Sequence, residues 1–142
     1  MPDRFVDTNI LLYAAASSPP EARKRDAAIR TLTESGLVVS VQVLQEFYHQ
    51  ATRPTRKSRL SPAEALAFLE PILEFRVQPM TVGIFHDAVR LSRRYGIGYW
   101  DGAILAAAHI CNCAEVYSED LSHHQDYDGV RVINPFAEPP SS

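Results

Sequence analysis

Arg4-Phe-Val-Asp-Thr-Asn-Ile-Leu-Leu-Tyr13 reads as a short strand that runs without a loop into a helix. Phe5 and Val6 carry the strand, Asp7 ends it, and Thr8 to Ala16 continues as a helix that Pro19-Pro20 breaks. One carboxylate therefore stands at an apolar junction, where burial without a partner costs several kcal/mol. Outward from this stretch the alternation repeats. Pro20 suits the first turn of a helix from Glu21 to about Glu34, closed by Gly36, with Ala22, Ile29 and Leu32 as its apolar positions. Leu37-Val-Val-Ser40 has the unbroken apolar run of a buried parallel strand, and Ser40 can cap a helix reaching about Ala51.

Arg53-Pro-Thr-Arg-Lys-Ser-Arg59 is a basic, helix-breaking loop. Ser61-Pro-Ala-Glu64 is a capping-box start for a helix to about Glu74, and Phe75-Arg-Val-Gln78 holds a third strand. A helix from Thr81 or Val82 to Tyr95 ends at Gly96, and another starts at Asp101 or its neighbours and runs to about Asn112. Glu115-Val-Tyr-Ser118 and Arg131-Val-Ile-Asn134 are the fourth and fifth strands. This order predicts an α/β fold, a three-layer sandwich whose mainly parallel central sheet is flanked by helices. The length predicts one domain over residues 1–136, with the Pro/Ser-rich 137–142 as a tail.

Apolar residues at 46% and charged ones at 22% are ordinary for a globular protein, and a formal charge of −3 does not exclude a nucleic-acid partner, because local field outweighs the total. Cys111 and Cys113, placed in the last helix, point to different faces; reduced thiols and a cytoplasmic location are the expectation. No signal-peptide pattern opens the chain, and the longest apolar run, Ala103 to Ala108, is too short to cross a membrane.

Four acids sit where strands end or helices begin: Asp7, Glu46 in Val43-Leu-Gln-Glu-Phe47, Asp101 in Tyr99-Trp-Asp-Gly-Ala103, and Asp120 in Tyr117-Ser-Glu-Asp-Leu121. In a parallel sheet such positions gather beyond the carboxyl ends of the strands, so residues distant in sequence can converge. Four carboxylates in apolar surroundings need a strong positive partner, and a hard cation such as Mg²⁺ or Mn²⁺, as one or two ions, prefers oxygen ligands. The expectation is that Asp7 and Asp101 ligate directly. Glu46 and Asp120 act directly or through water, and one of them orients an attacking water.

Those four motifs, in order and spanning Asp3 to Phe136, resemble the PIN-domain nucleases and, within them, the VapC-type toxins of toxin–antitoxin pairs. The resemblance implies a metal-dependent ribonuclease with Asp7, Glu46, Asp101 and Asp120 as its acidic set. It maps a hydroxyl onto Ser118 and a polar residue onto Asn9, and implies an RNA substrate, a cognate antitoxin and a homodimer, with no membrane partner. A DNA nuclease or a catalytically silent binding module are the alternatives.

Around this set the remaining residues carry two readings each. Thr8, Asn9 and Ser118 either bind phosphate or hold a carboxylate and cap a helix. Arg53, Arg56, Lys57 and Arg59 either line an RNA groove or are solvated loop charge. Arg23-Lys-Arg25 and Arg93-Arg94 read as exposed helix faces, Tyr99 and Trp100 as a core wall beside Asp101 in preference to a base-stacking platform, and His123-His124 as loop residues. A receiver-type phosphoacceptor would need a lysine near the last strands, yet Lys24 and Lys57 are the only lysines. A dehalogenase-like phosphatase would need an acid where Asn9 stands.

Overall fold

β1 (Arg4–Val6) lies inside a six-stranded sheet of order β3-β2-β1-β4-β6-β5, described by a computed structural model for residues 3–137. Most of the expected tail, 138–142, lies outside the described residues. β2 (Leu37–Ser40), β3 (Arg76–Gln78), β4 (Glu115–Tyr117) and β6 (Val130–Ile133) continue the parallel sheet, with β1 paired to β2 on one side and β4 on the other. The chain fills one half, β1 to β3, and then crosses back to lay β4 against β1. The gap between the ends of β1 and β4 is thus the switch point, where α/β sheets place their ligands.

Paired helices make the crossovers: α1 (Thr8–Ala14) and α2 (Ala22–Leu32), α3 (Val41–Thr52) and α4 (Pro62–Ile72), then α5 (Val82–Tyr95) and α6 (Tyr99–Ile110). The caps explain the boundaries. Ser40 accepts from the Val43 amide, Thr81 from that of Ile84, and Ser61 with Glu64 forms the full reciprocal capping box. Gly96 closes α5 at φ 64°, a left-handed geometry that suits glycine.

Several expectations need correction. Pro19–Glu21 is a separate 3-10 turn, so α2 starts at Ala22, and Ile29 is exposed while Ala28 and Thr31 face the core. The last helix ends at Ile110, which leaves Cys111 at its C-cap and Cys113 beyond it; both are free, buried thiols. Burial pushes the Cys113 thiol up to about 12. The sheet has one strand beyond those the sequence predicts: β5 (Asp126–Tyr127) pairs antiparallel with β6 across Asp128-Gly129, where both residues have positive φ. Arg90, Arg94 and the Tyr95 hydroxyl all bond the Asp128 carboxylate and pin this hairpin to α5, giving Arg94 a structural task.

α5 and α6 approach unusually closely at Gly102. A Cβ there would stand 2.6 Å from the Ala88 carbonyl oxygen, a backbone atom that cannot swing aside. This crossing fixes the first turn of α6, and with it Asp101, against the sheet edge.

Candidate metal centre

Asp7, Asp101 and Asp120 each offer a carboxylate oxygen within 4.8 Å of the others. They arrive from three different places. Asp7 leaves β1 and caps α1 by accepting the Thr8 amide at 2.7 Å. Asp101 stands in the first turn of α6, and Asp120 lies in the loop after β4. Their burial falls in that order: Asp7 is 3% exposed, Asp101 is half-buried and Asp120 is exposed.

Polar side chains just beyond the ends of β1 and β4 hold the cluster. The Ser118 hydroxyl donates to Asp7 Oδ2 at 2.8 Å and accepts the Asp120 amide at 3.1 Å. Asn9 Nδ2 lies 3.1 Å from Asp120 Oδ2, 3.3 Å from Ser118 Oγ and 3.4 Å from Asp7 Oδ2, while its Oδ1 accepts the Glu119 amide. Asn9 and Ser118 are thus carboxylate holders in this geometry. Thr8, 5% exposed, turns its hydroxyl toward Glu46 Oε2 at 3.4 Å.

Glu46 stands just outside the three-acid group. Its Oε1 accepts from Gln42 Nε2 at 2.5 Å, one helical turn away on α3. Its charge still acts on the cluster. Burial pushes the Asp7 carboxyl up to about 7, and the nearby charges of Asp120 and Glu46 add to that against the Ser118 and Thr8 hydrogen bonds. Asp101 is also raised, by burial first and then by Asp120 and Glu46. Hydrogen bonding partly repays the cost at Asp7, whereas burial, Asp120 and Glu46 all push Asp101 upward. Such a set of oxygen-only donors fits a hard divalent cation.

Beside the cluster runs a cleft of about 360 Å³ whose walls include Asn9, Arg53, Arg56, Lys57 and Glu119. Arg56 is tied down, donating from Nη2 to the Leu12 carbonyl at 3.1 Å, and burial lowers its pKa. Lys57 and Arg53 are exposed. Two expected surroundings differ from the structure. Trp100 is 65% exposed, so it does not wall the core: it sits in the first turn of α6, ahead of the stretch from Gly102 to Ala108 that is buried all round. Lys24 is not a bare helix face: it bonds Glu119 at 2.5 Å beside the Tyr13 hydroxyl and lies over the Tyr13 and Phe136 rings. The expected loop histidines keep that role, with His123 Nδ1 accepting the Asn134 amide at 2.9 Å.

The sequence profile of the PIN domain matches residues 4–128. The chain belongs to the PIN-domain family. Solved structures repeat its fold at low identity. A toxin–antitoxin complex from Klebsiella pneumoniae superposes with a TM-score of 0.71 at 18% identity, covering 94% of this chain and 98% of the other. The sarcin–ricin loop cleaving toxin VapC20 of Mycobacterium tuberculosis gives 0.66 at 18% identity over 83% and 90% of the two chains. DNA-bound VapBC from Salmonella typhimurium gives 0.62 at 20% identity over 93% and 97%. No curated protein matches the sequence significantly. Among the described residues of this PIN domain, no helix is long and apolar enough to cross a membrane.

Gln42 and Gly102 are the site residues that sequence reasoning passed over. Gln42 is 3% exposed and also donates to the Trp100 carbonyl at 3.2 Å, linking α3 to the start of α6. The glycine directly after Asp101 was the available signal for the close helix crossing.

Proposed function

We propose that this PIN domain is a metal-dependent endoribonuclease, the toxin of a toxin–antitoxin pair, working as a homodimer and silenced by a cognate antitoxin protein. The observation that carries this reading is the convergence of Asp7, Asp101 and Asp120 at the switch point, with Asp7 buried deeply enough to be raised to about 7. The structural likeness to toxins and toxin–antitoxin complexes supports the biological half.

Asp7, Asp101 and Asp120 would hold Mg²⁺ or Mn²⁺, with Glu46 near enough to share the site. A bound divalent ion supplies charge relief for the phosphoryl oxygens and an acidified water. The protein's own groups do the rest. Ser118 Oγ–H and Asn9 Nδ2–H hold Asp7 Oδ2 and Asp120 Oδ2 in one orientation, so neither carboxylate must reorganise as charge develops. Glu46 is fixed by Gln42 at Oε1 and by Thr8 at Oε2, and it accepts the proton of the attacking water. Arg53 and Lys57 steer the RNA backbone to a pocket that would otherwise repel it.

The test is cleavage of matched RNA and DNA oligonucleotides by purified protein, with Mg²⁺ or Mn²⁺ and with EDTA. Asp101→Asn, which keeps shape and removes a charged ligand, serves as the control. Metal-dependent cleavage of RNA alone, absent in the variant, is expected. Equal cleavage of DNA would make it a general nuclease, and cleavage in EDTA would sink the metal reading.

A further inference from the structure

Next to the acidic cluster, further along α3 from the basic cleft, lies a second cavity of about 420 Å³. Its walls are Gln42, Gln45, Glu46, His49, Gln50 and Trp100. Gln50 also lines the basic cleft, so the two cavities meet along α3. Two features of this second cavity have no task inside the protein. Trp100 leaves 65% of its surface in solvent although it is held edge-on against Tyr99, with ring centroids 5.0 Å apart. Gln42 is 3% exposed, yet its Oε1 is the one buried side-chain polar atom among the described residues with no hydrogen-bond partner.

The amide of Gln42 has its orientation fixed. Nε2 donates both to Glu46 Oε1 and to the Trp100 carbonyl, which leaves Oε1 as a bare acceptor. Oε1 is closed from solvent, so a ligand pairs with it only as the Gln42 side chain shifts toward the cavity, and that pairing recovers the free energy that an unpaired buried acceptor costs. Glu46 in the same wall adds a second acceptor and repels carbonyl oxygens. An exposed indole adjoining two acceptors suits a flat ring that carries an N–H donor at its edge.

We propose that this cavity is a nucleobase subsite, in which an unpaired base flanking the scissile phosphate stacks on Trp100 and donates an exocyclic amino hydrogen to Gln42 Oε1. The subsite deepens the ribonuclease reading and rests on it. Adenine meets both demands, with a large ring and an N6 amino group. Uracil does so poorly, because its single ring N–H is flanked by two carbonyls that would face Glu46. The subsite therefore prefers adenine to uracil.

Trp100 is the only tryptophan in the chain, so its fluorescence reports this cavity alone. The probes are oligoadenylate and oligouridylate of equal length, titrated into the full chain carrying Asp7→Asn so that no cleavage intervenes, with fluorescence anisotropy of labelled RNA measured in parallel. Quenching of Trp100 by oligoadenylate at lower concentration than by oligouridylate is expected. Trp100→Ala should weaken oligoadenylate binding by about 5- to 150-fold, the range for loss of one stacked base, and Trp100→Phe should restore most of it. Gln42→Met should keep the stacking and bring the adenine-to-uracil preference close to one.

If RNA binds by anisotropy and Trp100 is neither quenched nor needed, the subsite is wrong while the nuclease reading stands. If no RNA binds at all, both fall. If Trp100 emission follows protein concentration and ignores RNA, the face is a contact between copies of the chain and the subsite is again overturned.

Discussion

Replacing Asp7 with asparagine removes the most deeply buried charge of the cluster at nearly constant shape, and its effect on stability has a sign that can be worked out beforehand. Burial raises the folded-state carboxyl from its ordinary 3.8 to about 7. Between those limits the folded protein keeps a proton that the unfolded chain has released, so stability falls as pH rises through the window and levels off above it. The full gap corresponds to roughly 4 kcal/mol, and the portion lost between pH 5 and 8 to roughly 2.6 kcal/mol. For a domain of this size that is a fall in Tm of about 10 °C in EDTA. Asp101, also raised, pushes in the same direction. A divalent ion competes with that proton, so its stabilisation should grow with pH; at 100 times its Kd it adds roughly 2.7 kcal/mol. Asp7→Asn should flatten the slope, exceed the metal-free wild type in Tm at pH 8, and lose most of the metal response. The asparagine oxygen can still accept the Thr8 amide, so the cap survives. Thermal melts at pH 5, 6, 7 and 8, in EDTA and in millimolar MnCl₂ at matched ionic strength, decide the matter. Parallel pH profiles for the two proteins, or an undiminished Mn²⁺ shift in the variant, would refute the reasoning.

Gly102→Ala should destabilise the fold by about 1–3 kcal/mol in urea melts, because its Cβ would meet the Ala88 carbonyl oxygen at 2.6 Å; it should also lower cleavage by displacing Asp101. Charge reversal of Arg53 and Lys57 should flatten the plot of log K against log salt for single-stranded RNA by about 0.7 per lost phosphate contact, leaving turnover at saturating RNA near wild type. Arg56 lines the same cleft and spends one donor on the Leu12 carbonyl, so Arg56→Glu should cost stability as well as binding. Expression of the chain alone should arrest a bacterial host, and the Asp101→Asn variant should not; equal colony counts for wild type and variant would remove the toxin reading.

The parallel scaffold could be read from the sequence because its signals are local. Leu37 to Ser40 is buried at every position, and the caps at Ser40, Ser61 and Thr81 act within three residues. β5 was hidden because two residues carry no periodicity, and its turn, Asp128-Gly129, gains meaning only once β6 exists to pair with. The convergence of Asp7, Asp101 and Asp120 was legible through the rule for sheet edges, while the position of Glu46 was not. Being in the right helix near the right edge does not say which way a long side chain leans, and here Gln42 one turn earlier decides it. Lys24 and Trp100 failed for the same reason in opposite directions: helical position gives a face, but the neighbour across that face is a tertiary fact.

The burial gradient across the three acids sets the direction from which a substrate must come. Asp7 is buried and held by the Ser118 hydroxyl and the Thr8 amide at the start of α1. Asp120 stands at the mouth, held there by Asn9, which in turn lines the basic cleft. On the proposed nuclease reading, a phosphodiester would approach over Asp120 and Asn9, with its backbone toward Arg53 and Lys57. Gln50 lies on both the basic cleft and the Trp100 cavity, so a strand following this path passes over α3 and brings its next base above the indole. Cleavage rate and base preference should then respond to different residues: changes at Asp7 or Asp101 act on turnover, and changes at Trp100 or in the basic loop act on which RNA is bound.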